Sequence, residues 1–147
     1  MTEHRPDPQT VAEAVRKKMF DSDHCSKGLG MTIEAIAPGY ARVTMVVRKN
    51  MLNGFGLCHG GIITTLADSA FAFACNSYNE YTLASGIFIE ILTPASEGDR
   101  LLAEAKEVTS NGRLGLYDIF VTNQHGKQVA VMRGRSHTMK GKHIVEF

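Results

Sequence analysis

The chain has 147 residues, 44% of them hydrophobic and 21% charged, with a formal net charge of +1. That length suits one domain with a sizeable core, and the balanced charge gives no reason to expect nucleic acid or a membrane surface as partner. Three cysteines, Cys25, Cys58 and Cys75, form no CxxC pair and leave an odd count, so a reduced, cytoplasmic protein is expected. The N-terminus, Met1-Thr2-Glu3-His4-Arg5-Pro6, is polar and charged, unlike a signal peptide.

Asp7-Pro8 reads as a helix cap followed by proline at the first helical position. Val11, Ala14, Val15, Lys18 and Met19 follow at helical spacing, which predicts an amphipathic helix to about Phe20. The run Asp21 to Ser26 caps a second short helix ending at Lys27-Gly28. From Met31 the period changes to two. Met31 and Ile33 alternate with polar residues, Pro38-Gly39 makes a turn, and Ala41, Val43, Met45 and Val47 form a half-buried strand. These two strands are expected to pair as a hairpin.

A glycine-rich loop, Asn53-Gly54-Phe55-Gly56-Leu57-Cys58-His59-Gly60-Gly61, then feeds a proline-free helix to about Ser77. Its apolar residues do not keep to one stripe, which marks a buried helix. Thr64, Thr65, Asp68 and Ser69 interrupt it, and it is too short for a membrane span. Four strands follow. Thr82 to Thr93 is nearly continuously apolar and ends at Pro94, and Leu101 to Thr109 comes after a Ser96–Asp99 turn. Asn111-Gly112 signals a hairpin into Leu114–Thr122, and the last strand runs from Gln128 to Thr138. One antiparallel sheet wrapped around the apolar helix packs these elements economically. The organisation is one domain over 1–147, with an N-terminal helical segment over 1–28 and a charged tail over 139–147. A single such layer leaves sheet edges and a helix flank open, so a dimer is expected.

Two features of the helix point to chemistry. Asp68 is a carboxylate on an apolar helix, which needs a hydrogen-bond partner, a charge partner or a function. The helix start is glycine-rich, so a ligand atom can approach N–H groups that lack intrahelical partners and carry partial positive charge. Such a site suits an anion, or a carbonyl oxygen that becomes anionic in a transition state. Asp68 lies seven residues beyond Gly61. At about 1.5 Å per residue that is about 10 Å along the axis, too far for both groups to act on one carbonyl. If both serve one substrate, the acid comes from an antiparallel helix of a symmetric partner.

The element order resembles the hotdog fold. The segment Met51-Leu52-Asn53-Gly54 through Cys58-His59-Gly60-Gly61 to Leu66-Ala67-Asp68 is similar to the signature of the PaaI group of hotdog thioesterases, associated with phenylacetic acid degradation. The likeness extends to Ala74-Cys75-Asn76-Ser77, Gly115-Leu116-Tyr117-Asp118-Ile119 and Arg133-Gly134-Arg135-Ser136-His137, and covers roughly residues 20–138. The resemblance implies an α+β hotdog fold and hydrolysis of acyl-CoA thioesters, with an aryl (phenylacetyl or hydroxyphenylacetyl) or medium-chain acyl group. It makes Asp68 the catalytic base or nucleophile and Gly60 the N–H donor to the thioester carbonyl. Asn53 and His59 become polar groups that position substrate or water. It also implies that acid and donor come from different subunits, in a homodimer at minimum and a homotetramer in many relatives. Gly61, and Arg113 and Arg135 for the nucleotide phosphates, are the substrate-binding candidates. No cofactor is implied.

Other readings stand beside these. Asp68 could be a capped or salt-bridged interface acid, His59 a helix-start residue bonded to its own loop, and Asn53 a turn residue. The two arginines could be solvated. A hotdog hydratase or dehydratase, which uses a histidine and an acid on the acyl chain, is superficially allowed by His59 and Asp68. An acyl-CoA binder without turnover has no need of Asp68. The six histidines are scattered, which argues against a metal site, and Cys58 lacks a second histidine and an acid arranged locally to activate it. Phe55, Leu57, Phe71 and Tyr78 are candidates either for an aromatic pocket or for the core.

Overall fold

The computed structural model describes residues 5–147. Helix α1 (Pro8–Ser22) begins where Asp7 accepts hydrogen bonds from the N–H groups of Gln9 and Thr10. Asp23 caps α2 (His24–Gly28). Strands β1 (Thr32–Ala37) and β2 (Tyr40–Val46) form the expected hairpin around Gly39, whose φ is +71°. A short 3-10 turn and the glycine loop lead into α3 (Gly60–Asn76). Then come β3 (Thr82–Ile91), β4 (Arg100–Asn111), β5 (Leu114–Thr122) and β6 (Gln128–Thr138).

All six strands form one antiparallel sheet in the order β1-β2-β4-β5-β6-β3. The sheet curls around α3, and the core sits between them. Leu66, Ala67, Ala70, Phe71, Phe73 and Ala74 of the helix are all fully buried. They meet inward residues such as Val43, Ala103, Ile119 and Met132. Burying a side chain the size of Leu or Phe contributes about 1.5–3 kcal/mol, so this helix is the principal apolar anchor of the fold.

One contact ties the helix to the sheet with little tolerance. The Phe71 ring packs on Tyr117 at 5.4 Å between centroids, and a Cβ on Gly134 would sit 2.8 Å from Phe71 Cε1 and Cζ. β6 therefore lacks a side chain where the ring passes.

One detail differs from expectation. Asn111 belongs to β4 and pairs with Leu114, so the β4–β5 loop is Gly112-Arg113, with positive φ at Gly112 and not at Asn111. Positive φ on the first loop residue alone is the pattern of a type II′ turn. The nearly continuous apolar strand β3 lies at the sheet edge beside β6, with most of its length exposed. The charged tail folds back along β3's entry rather than extending away, since Tyr81 N–H donates to the Lys142 carbonyl at 2.8 Å.

Candidate active site

The site begins with the loop that enters α3. Asn53 Oδ1 accepts from the N–H groups of Phe55 and Leu57, at 2.9 and 3.2 Å, and Asn53 N–H donates to the Leu57 carbonyl at 2.7 Å. This closes a tight Asx-type loop. Cys58 and His59 then tie the chain to Ala95 and Met51 through their backbone N–H groups, at 2.8 Å each.

His59 is the N-cap of α3. Its Nδ1 accepts from the Gly61 N–H at 2.9 Å. A neutral ring accepting at Nδ1 carries its proton on Nε2, so the outward-facing nitrogen is a donor. Gly61 permits this cap, because a Cβ there would lie 3.1 Å from Nδ1. The N–H groups of Ile62 and Ile63 both reach the His59 carbonyl. Among the described residues, Gly60 N–H, the first of the helix, is the one at this end without a partner. Gly61 and Gly60 thus separate in role. One amide is engaged by the cap, and the other stays available to a ligand oxygen.

Gly60 opens into a hollow of about 280 Å3 shared with Asn53, Leu57, Ile91 and Pro94. Ile91 Cδ1 would lie 3.0 Å from a Cβ on Gly60, so a side chain at this position would crowd the approach.

Asp68 is two turns further along α3 and half-buried. Burial alone raises its carboxyl pKa above the ordinary 3.8, with no hydrogen bond or cation opposing the rise. It faces a second, larger hollow of about 740 Å3, lined also by Met19, Phe71, Ala72, Leu83 and Ile144. An unpartnered carboxylate beside an apolar hollow is poised to take a proton or attack an electrophile.

The candidates therefore fall into groups. Asn53, His59 and Gly60 stand together at the helix start, and Asp68 lies in the other hollow. Arg135 lines neither. Its Nε donates to Ser85 Oγ at 3.1 Å and an Nη to the Ser85 carbonyl at 3.3 Å. Ser85 is the extra residue of a bulge in β3, so Arg135 holds the bulge beside the Asp68 hollow. Arg113 sits at the β4–β5 tip, where its carbonyl accepts from Thr138 N–H, and also lines neither hollow. Of the four apolar candidates, Phe71 floors the Asp68 hollow and Leu57 borders the Gly60 hollow. Phe55 is 90% exposed at the loop tip, and the Tyr78 hydroxyl donates to Glu107.

Cys58 is buried, which pushes its thiol pKa up and away from reactive thiolate. Among the described residues no three His, Cys, Asp or Glu side chains group as metal ligands, and no helix is long and apolar enough to cross a membrane. Among the pocket residues that sequence reasoning missed are Tyr81, Leu83, His143 and Ile144. The apolar run of β3 carried a signal for Leu83. The tail carried none.

The chain is similar to known thioesterases. The thioesterase superfamily model matches residues 55–130. Acyl-coenzyme A thioesterase PaaI of Escherichia coli (strain K12) is 45% identical over 123 residues, 84% of this chain and 88% of that protein. The solved structure of the E. coli PaaI protein from the phenylacetic acid degradation operon matches with a TM-score of 0.90 and 41% identity. It covers 92% of this chain and 99% of that one. A Streptococcus mutans protein solved bound to acetyl CoA matches with a TM-score of 0.73 and 26% identity, over 76% of this chain and 90% of that one. On its fold, its helix-start geometry and these matches, the chain belongs to the thioesterase superfamily and, within it, to the PaaI group of hotdog-fold thioesterases.

Proposed function

We propose that this thioester hydrolase acts on acyl-CoA carrying an aryl or medium-chain acyl group, at a site shared between two copies of the chain. The observation that carries the reading is the separation of its two reactive groups. Asp68 lies with Leu83 and Ala84 at the start of β3, while Gly60 lies with Ile91 and Pro94 at its end. β3 is an edge strand with Leu83, Ile87, Phe88 and Ile91 exposed. A second β3 paired antiparallel about a two-fold axis near Ile87 extends the sheet and covers these side chains. The same operation sets the Asp68 hollow of one copy beside the Gly60 hollow of the other. Phe88, Phe120 and Val131 lie beside the Asp118–Arg133 ion pair on the outer sheet face, where two such dimers can join as a tetramer.

In this arrangement Gly60 N–H donates to the thioester carbonyl oxygen and stabilises the charge that develops there. Asp68 takes a proton from water as the water oxygen bonds to the carbonyl carbon. Collapse of the tetrahedral adduct breaks the C–S bond, and the CoA thiolate leaves and is protonated. A direct attack by the Asp68 carboxylate, with water then opening the mixed anhydride, balances equally. His59 Nε2–H and the Asn53 amide are donors at the mouth. The largely apolar Asp68 hollow receives the acyl group, and its volume lies in the ordinary range for small-molecule pockets.

Free-thiol release from phenylacetyl-CoA, its hydroxylated forms and straight-chain acyl-CoAs tests this, with Asp68→Asn alongside and the mass of both proteins measured. Turnover that the substitution abolishes in a folded dimer or tetramer supports the reading. No turnover on any of these substrates, or an unchanged rate in the variant, overturns it.

A further inference from the structure

The last residues of the chain have no part in the sheet or its core, yet they are held with care. Met139 N–H donates to the Tyr81 carbonyl and Tyr81 N–H to the Lys142 carbonyl, both at 2.8 Å, while Lys140 Nζ meets the Glu80 carboxylate at 3.0 Å. Asn79 then clamps residues 143–145. Its Oδ1 accepts from the N–H groups of Ile144 and Val145, its Nδ2 donates to the Val145 carbonyl, and its own carbonyl accepts from His143 Nδ1. Among the described residues Asn79 is the one non-glycine with positive φ, at 65°, and it is only 9% exposed. Asparagine tolerates that backbone better than most residues. A left-handed residue turned inward to bind a terminal segment signals a position with a purpose.

The clamp fixes what the segment touches. His143 and Ile144 line the same hollow as Asp68, together with Met19 of α1 and Phe71. Ile144 is half-buried there. The hollow is therefore walled on one side by a segment whose residues 143–145 are held through hydrogen bonds to Asn79.

We propose that residues 139–147 form a specificity wall of the acyl pocket, with Ile144 setting the largest acyl group the enzyme accepts. The inference rests on the acyl-CoA reading of the Asp68 hollow. An acyl group lying between Phe71 and Leu83 and growing away from Asp68 runs into Ile144. The wall limits acyl length rather than breaking bonds, so its loss admits larger acyl groups.

The test uses four variants: Ile144→Ala, Ile144→Trp, deletion of residues 143–147, and Asn79→Gly, which keeps the positive φ without the clamp. Kinetics on a short-to-long series of straight-chain acyl-CoAs gives kcat and KM for each. Binding of the matching non-hydrolysable thioethers, measured on Asp68→Asn carrying the same changes, reads the pocket without turnover. Ile144→Ala, the deletion and Asn79→Gly are expected to raise the long-to-short ratio of kcat/KM by at least about tenfold, the scale of discrimination by one or two methylenes in an apolar pocket. Ile144→Trp lowers it. The change falls chiefly in KM of the longer acyl-CoAs. A length profile identical in all variants, by both turnover and thioether affinity, overturns the wall. A parent without turnover whose thioether affinity still follows the wall substitutions overturns only the hydrolytic reading of the substrate.

Discussion

β1 and β3 are both edge strands, and the chain treats them in opposite ways. β1 turns Ile33 and Ile36 to the core across a bulge at Glu34, and its outer side is closed from within. Gln9 Nε2 of α1 donates to the Ile36 carbonyl at 2.7 Å, and Arg16 Nη1 donates to the Ile33 carbonyl at 3.0 Å. A helix and two polar side chains remove that edge as a pairing template. β3 receives no such cover. It is apolar on both faces, most of it is exposed, and one half of the site lies at each of its ends. The sheet is closed along β1 and left open along β3.

This division is tested most severely at the centre of β3. Ile87→Arg places two like charges face to face across the proposed axis. Size-exclusion chromatography with light scattering is expected to show a monomer, with thioesterase activity below detection because both half-sites are lost together. A variant that remains dimeric and active sinks the pairing. Next in size is Asp68→Asn, expected to lower kcat by about 10²- to 10⁴-fold, the usual contribution of a general base, while assembly stays intact. Because burial holds the Asp68 carboxyl above the ordinary 3.8, the acid limb of the parent's pH–rate profile should fall above that value.

Gly60→Pro probes the opposite end of β3. Proline is compatible with the first helical position and removes the N–H, and its ring also crowds the hollow against Ile91, so a loss of at least about 10²- to 10³-fold in kcat is expected. Mixing this variant with Asp68→Asn after reversible dissociation should restore about a quarter of parental activity, since half the dimers are mixed and each has one intact site. No recovery would show that the two groups act within one copy.

The smallest effects concern stability. Gln9→Leu uncovers the Ile36 carbonyl and should cost about 1 kcal/mol in denaturant unfolding, without touching turnover. Asp68 acts in the other direction. Its folded pKa is raised above the unfolded value, so the native state holds the proton more tightly. Stability therefore falls as pH rises from the unfolded pKa through the folded one. Asp68→Asn should melt higher than the parent at neutral pH, and the gap should close as pH drops below about 3.8, the unfolded-state value.

Much of the fold was legible because it is local. The period-two runs and their turn residues place β5 and β6 at Leu114–Thr122 and Gln128–Thr138, as the structure has them. The apolar run with a lone acid locates α3 and Asp68. Features that depend on distant pairing were not legible. That β3 crosses to the far edge beside β6 is a matter of topology, and an apolar run reads alike at an edge or in the middle. Arg135 reads as a free cation until the register shift at Ser85 gives it an acceptor. The Gly112-Arg113 loop follows from which residues pair, not from which tolerate positive φ. The tail looks like solvent-facing charge because its anchor, Asn79, lies far back in the chain.

The contact between Gly134 and Phe71 has one more consequence. Phe71 floors the Asp68 hollow with one side of its ring and rests against a bare stretch of β6 with the other. Any residue larger than glycine at 134 would push the ring outward and make the cavity shallower. The depth available to a guest molecule is thus written on a strand it never meets. Position 134 and position 71 can drift only as a pair, one shrinking where the other grows.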